Sequence, residues 1–165
     1  MASRSATQST RRGTRRPSAA KTTKAAAPTF RYIETSALLA ALLEQDAAAR
    51  RALRGRKRRI TSALTFAEAS RALVRARVAG RLTPADERAG LRWLQGFRRR
   101  CDVVAVTDAV LARACRPFPV EPIRTLDAMH LATAELLGES PQLITIVTRD
   151  SRVIDNARAL GYAVE

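Results

Sequence analysis

Four acids, Glu34, Glu68, Asp127 and Asp150, fall at or just after a strand-to-helix junction, or at a helix start, in a chain with only fifteen Asp and Glu. If the strands are parallel, those junctions share one edge of the sheet, and carboxylates far apart in sequence converge there. Carboxylates crowded together repel, so either some bind protons or a cation sits among them. Oxygen ligands, with no Cys and no paired His, select Mg²⁺ or Mn²⁺ over zinc. Such an ion lowers the pKa of bound water, polarises a phosphoryl oxygen and orients an in-line attack; two ions would lie ~3.5 to 4 Å apart. Thirty Lys and Arg leave a formal charge of +15, which favours a polyanionic partner such as nucleic acid. An acidic pocket in a basic body points to cleavage of a phosphodiester.

Three of the acids also have plainer explanations. Glu68 is the fourth residue of a Thr-x-x-Glu capping box begun at Thr65, Asp127 lies in a first helical turn where the dipole favours an anion, and Asp150 can be an N-cap. Glu34 has no comparable structural reason to be there. His130 stands beside Met129 and Leu131 with no acid in its own turn, and reads as a packed helix histidine rather than a general base. Trp93, Tyr32 and Tyr162 are isolated, and read as core or dimer contacts rather than a base-stacking platform.

The elements that must position these residues begin with Phe30 to Ile33, a short strand that stops at Glu34 and turns into a helix capped by Thr35 or Ser36, with Leu38, Leu39, Leu42 and Leu43 on one face. Arg50 to Arg59 reads as a solvated helix end and loop, Ile60–Leu64 as a second strand, and Thr65 as the start of a helix with Phe66, Leu73 and Val74 inward. Thr83-Pro84 opens another helix, followed by a third strand over Asp102–Val106 and a helix over Thr107–Cys115 with Val110, Leu111 and Ala114 inward. Prolines 117, 119 and 122 impose an extended connection. A helix from Thr125 to about Leu137 has Leu126, Met129, Thr133 and Leu136 close to one face; Leu143–Val147 is a buried strand, and a helix to Leu160 and a short strand over Tyr162–Val164 complete the chain. Alternating strands and helices with near-continuous apolar strands imply a parallel sheet covered on both faces.

With 46% apolar residues, 165 residues support one domain with a real core. Residues 1–29 carry Arg4, Arg11, Arg12, Arg15, Arg16, Lys21 and Lys24 and no acid, the composition of a disordered basic arm, ahead of a domain over 30–165. Cys101 and Cys115 form no Cys-x-x-Cys or Cys/His cluster, which fits a reduced, cytoplasmic setting. No run approaches the ~18 apolar residues of a membrane span. From the residues alone, a non-catalytic basic RNA-binding module remains the alternative to an enzyme. A receiver-like phosphoacceptor domain is disfavoured, since no strand ends in paired acids with a matching lysine.

The runs Tyr32-Ile33-Glu34-Thr35-Ser36-Ala37-Leu38, Arg124-Thr125-Leu126-Asp127-Ala128-Met129-His130-Leu131-Ala132 and Val147-Thr148-Arg149-Asp150 resemble, in that order, the signatures of PIN-domain ribonucleases, in particular the VapC-type toxins of toxin-antitoxin pairs. The resemblance covers Phe30 to Glu165. It implies a three-layer α/β/α fold with a mainly parallel sheet, Mg²⁺- or Mn²⁺-dependent endoribonuclease activity on RNA, a homodimer, and inhibition by a cognate antitoxin. Carried over by motif, Glu34, Glu68, Asp127 and Asp150 match the four family acids. Glu34 and Asp127 would then be the firmest metal ligands, Glu68 and Asp150 would complete the pocket or position water, and Ser36 and Thr148 would support it by hydrogen bonds. Most of the family has Asp where this chain has Glu34, one methylene shorter.

Overall fold

The computed structural model describes residues 29–55 and 57–165. The basic arm expected over 1–29 therefore lies, but for Thr29, outside the described residues. Five parallel strands form the sheet: β1 (Phe30–Ile33), β2 (Arg58–Ser62), β3 (Asp102–Val104), β4 (Ile144–Val147) and β5 (Ala163–Val164), in the order β3-β2-β1-β4-β5. The first strand is thus the central one. Chain order reverses at β1, and at such a switch point the carboxyl ends of adjacent strands leave a crevice.

The strands alternate their side chains between two cores. Ile33 and Val147 point to one face, where they pack with Leu38, Phe66, Leu73 and Phe97. Those residues come from α1 (Thr35–Leu43), α3 (Ala63–Val78) and α4 (Pro84–Arg98), with Ala52 of α2 (Ala47–Arg54) beside them. Tyr32, Ile144 and Ile146 point to the other face and meet Val110, Leu131 and Val153, from α5 (Asp108–Ala114), α6 (Thr125–Glu135) and α7 (Ser151–Ala159). This is the three-layer α/β/α arrangement.

Several boundaries differ from the sequence reading. Helix α2 sits where only a helix end and loop were expected: the Asp46 carboxylate accepts from the Ala48 and Ala49 amides at 2.7 and 3.1 Å, enough to start a helix that the Arg-rich run obscures. Strand β2 ends at Ser62, which caps α3 by accepting from Leu64 N at 3.2 Å. The expected capping box at Thr65 and Glu68 is therefore absent: Thr65 is buried with its hydroxyl 2.8 Å from that of Thr61, and Glu68 is left free for other work. On α5 and α6 the inward face is as expected at Val110, Ala114, Met129 and Thr133 but not at three leucines. Leu111, Leu126 and Leu136 are exposed, and the small residues Ala128, Ala132 and Ala134 with Leu131 are buried in the core beside Tyr32, Ile144 and Ile146.

Candidate active site

The carboxyl ends of β1 and β4 are adjacent, with Ile33 paired to Val147. The next residue on each strand opens the site. Glu34 is itself the N-cap of α1, in place of the expected Thr35 or Ser36, because its extended backbone lets Oε2 accept from Ser36 N at 2.9 Å. The same oxygen accepts from the Ser36 hydroxyl and from Thr148 Oγ1, the latter at 2.9 Å. Glu34 is 4% exposed, so its orientation is fixed by three donors. Ser36 Oγ also accepts from the Arg149 and Asp150 amides at 2.7 and 3.1 Å. One hydroxyl thus ties the β1–α1 junction to the β4–α7 junction.

Asp150 caps α7, accepting from Arg152 N at 2.8 Å. The cap and the site role are compatible, since a cap uses one oxygen. Asp127 lies in the first turn of α6, but its Oδ2 is buried without any hydrogen-bond partner. Burial, and then the charges of Asp150 and Glu34, push its pKa up to about 6 against the opposing pull of Arg124 and His130. A buried carboxylate oxygen left unsatisfied beside like charges is unfavourable unless something positive or protonic meets it.

Glu68 reaches the site from the second turn of α3. Its Oε2 accepts from Thr35 Oγ1 at 2.5 Å and from His130 Nε2 at 2.8 Å. Burial works to raise its pKa, but the hydrogen bonds from His130 and Thr35 outweigh that and hold it below the usual carboxylate value. Glu34, Glu68 and His130 each offer an atom such that all three lie within 4.8 Å of one another.

His130 is the residue that sequence reasoning missed. It is buried, as expected of a packed helix histidine, yet it touches a site acid carried by another helix. The available signal was its spacing: Asp127 and His130 are three apart on one helix, hence on one side of it. Tyr32 is likewise a core residue, with its hydroxyl 3.0 Å from His130 Nδ1. Trp93 stacks on Phe97 at 5.3 Å between centroids, away from the acids. A cleft of about 600 Å³ lined by Arg50, Arg54, Arg59, Arg100, Trp93 and Phe97 contains none of the four acids; its Arg59 belongs to the opposite, amino-terminal end of β2.

Two carboxylates and an imidazole approach one another here, and the orphaned Asp127 oxygen lies under the negative charge of Asp150 and Glu34; the carboxylate oxygens among these donors fit a hard divalent cation.

The family model of the PIN domain matches residues 31–159. Ribonuclease VapC35 of Mycobacterium tuberculosis is 39% identical over 141 residues, covering 81% of this chain and 93% of that protein. Ribonuclease VapC46 of the same species is 40% identical over 135 residues, covering 81% and 94%. Among solved structures, VapBC2 from Rickettsia felis, bound to a DNA fragment from its promoter, superposes with a TM-score of 0.58 at 12% identity, over 82% of this chain and 97% of that one. VapBC-1 from nontypeable Haemophilus influenzae gives 0.53 at 13% identity, over 82% and 96%. The fold, the order of the acid-bearing junctions and these similarities agree, and the chain belongs to the PIN-domain family, among the VapC-type ribonucleases.

Proposed function

We propose that this protein is an endoribonuclease that hydrolyses RNA phosphodiester bonds at the carboxyl rim of its sheet with the help of Mg²⁺ or Mn²⁺, and that it is the toxin of a toxin-antitoxin pair. The observation that carries the reading is the buried, unpartnered Oδ2 of Asp127, held among the charges of Asp150 and Glu34. Glu34 and Asp127 are the proposed principal ligands, with Glu68 and Asp150 completing the pocket. A bound divalent cation supplies neutralisation of the phosphodiester charge and activation of a water for in-line attack.

The chain's own groups do the rest. Ser36 and Thr148 fix Glu34, so the longer side chain is held in one place rather than left to search. Glu68, held by Thr35 and His130 with its pKa below the usual carboxylate value, is the proposed group to orient the attacking water and to receive its proton. Arg and Lys on the surrounding surface hold the polyanion without selecting its sequence. The names of the superposed VapBC structures support a cognate antitoxin as partner; a homodimer, a cytoplasmic setting and a basic arm at 1–29 ahead of a domain at 30–165 complete the proposal. Among the described residues no helix is long and apolar enough to cross a membrane.

The test is RNA cleavage by the purified chain, with and without EDTA, beside Asp127→Asn. Cleavage that EDTA abolishes and that Asp127→Asn lacks is expected. Full cleavage by Asp127→Asn rejects the proposal.

A further inference from the structure

Of the three groups that approach one another most closely at the rim, two are acids and the third is His130. An imidazole nitrogen in such a position could itself hold the cation, and the proton inventory decides whether it does. Glu68 Oε2 already accepts from the Thr35 hydroxyl, and a carboxylate oxygen is an acceptor. With Nε2 of His130 2.8 Å from its Oε2, the hydrogen between them belongs to Nε2. Thr35 has one hydroxyl hydrogen and directs it at Glu68 Oε2, so its 3.1 Å approach to Nε2 is also as an acceptor. A nitrogen that carries a proton has no lone pair for a metal. On the far side of the ring the Tyr32 hydroxyl is 3.0 Å from Nδ1, the atom that bears the lone pair when a neutral imidazole is protonated at Nε2. A phenol carries its proton at neutral pH, so that hydroxyl can donate to Nδ1. Tyr32 is 1% exposed and so is His130, so neither gains from solvent what the other provides.

We infer that His130 and Tyr32 are positioning residues of the candidate active site: Tyr32 holds the ring of His130 through Nδ1, and His130 donates Nε2–H to Glu68, fixing that carboxylate beside Glu34 without binding the cation itself. The inference deepens the nuclease reading and rests on it for its consequence in metal binding. Its proton assignment stands on the cation-free protein alone. The relay joins three elements that share no sequence neighbourhood: Tyr32 on β1, His130 on α6 and Glu68 on α3. It also explains why a chain with a single histidine buries it completely at the rim of an acidic crevice.

The single histidine makes the test direct, because its side-chain nitrogen resonances need no assignment. In the full ¹⁵N-labelled chain without cation, long-range ¹H–¹⁵N spectra are expected to show a proton on Nε2; a bare Nε2 overturns the inference. With Mn²⁺ added, pulsed electron paramagnetic resonance is expected to show no directly coordinated nitrogen, and a directly coordinated histidine nitrogen overturns it equally. By calorimetry, His130→Ala is expected to weaken Mn²⁺ binding by about 10- to 100-fold. His130→Gln, which keeps an N–H on the same side chain, recovers most of the loss, and Tyr32→Phe gives a smaller loss. A folded His130→Ala protein with wild-type Mn²⁺ affinity contradicts the positioning role. Should the wild-type chain neither bind Mn²⁺ nor cleave RNA, the nuclease reading fails, while the location of the histidine proton still decides what His130 does.

Discussion

Asp127 carries the proposed reading through its orphaned oxygen, and its environment makes a prediction whose sign is unusual for a carboxylate. Its folded pKa is raised to about 6 by burial and then by Asp150 and Glu34, whereas in an unfolded chain it titrates near 4. The folded state therefore binds the proton more tightly, and this group adds stability as the pH falls from above 6 towards 4, with a size reduced by its partial exposure. Asp127→Asn should accordingly raise the melting temperature of the cation-free protein at pH 7.5 while abolishing cleavage, which thermal unfolding and an RNA assay on the same preparation would check. A lowered melting temperature would contradict the repulsion argument. Cation and proton compete for the same oxygen, so Mn²⁺ affinity should fall by up to about tenfold per pH unit below pH 6; a titration at pH 5 and pH 7 measures it.

How much of this was legible in the sequence differs from residue to residue. Glu34 stood out because strands rarely end on an acid without a reason, although the reason turned out to include capping. Asp127 and Asp150 were legible only as helix-start acids, since nothing local shows that Asp127 keeps an orphaned oxygen. Glu68 was hidden by a local pattern: Thr65-Phe66-Ala67-Glu68 matches a capping box, but Ser62 starts the helix first. His130 was missed because its partner is 62 positions away in sequence; pairing across that distance is a property of topology, which no local window contains.

At the scale of elements, the site depends on keeping two strand-to-helix junctions in register, and Ser36 is the bolt between them. It donates to Glu34 and accepts from the Arg149 and Asp150 amides. Ser36→Ala takes the acceptor from the Arg149 amide and one of three donors from Glu34, while the Asp150 amide keeps Thr148 Oγ1 at 3.1 Å. It should cost about 1 to 3 kcal/mol of stability and, by loosening Glu34, about 10- to 100-fold in cleavage, read by chemical denaturation and initial rates. A cap remote from the rim provides the contrast. Thr83 begins α4 with a reciprocal box to Asp86, so Thr83→Ala should lose about 1 kcal/mol with unchanged activity. Were both substitutions to affect cleavage alike, the junction argument would fail. Helix α2, missed in the sequence, belongs to the same frame: its capping Asp46 pairs with Arg149 at 2.8 Å, so the Arg-rich segment is anchored next to the β4–α7 junction rather than left as a solvated loop.

For the whole molecule, acids gathered at one rim of a chain of net charge +15 divide the labour between chemistry and capture. Residues 1–28 hold seven of the thirty Lys and Arg and no acid. If they help hold RNA, deleting them should flatten the dependence of binding on salt, each lost phosphate contact removing about 0.7 from the logarithmic slope for a single strand. The cleavage rate at saturating RNA should stay unchanged, and a deletion that alters neither binding nor its slope would remove the arm from the account. The fold class could be read from alternating patterns because near-continuous apolar strands imply a parallel sheet covered on both faces, whereas the order β3-β2-β1-β4-β5, which brings the ends of β1 and β4 together, is set by pairings that no local pattern contains. The most direct measurement is anomalous diffraction from crystals of the full chain soaked in Mn²⁺: the account predicts a peak bounded by carboxylate oxygens of Glu34 and Asp127 with Glu68 and Asp150 beside it, and a peak elsewhere, or none with these side chains unchanged, would contradict it.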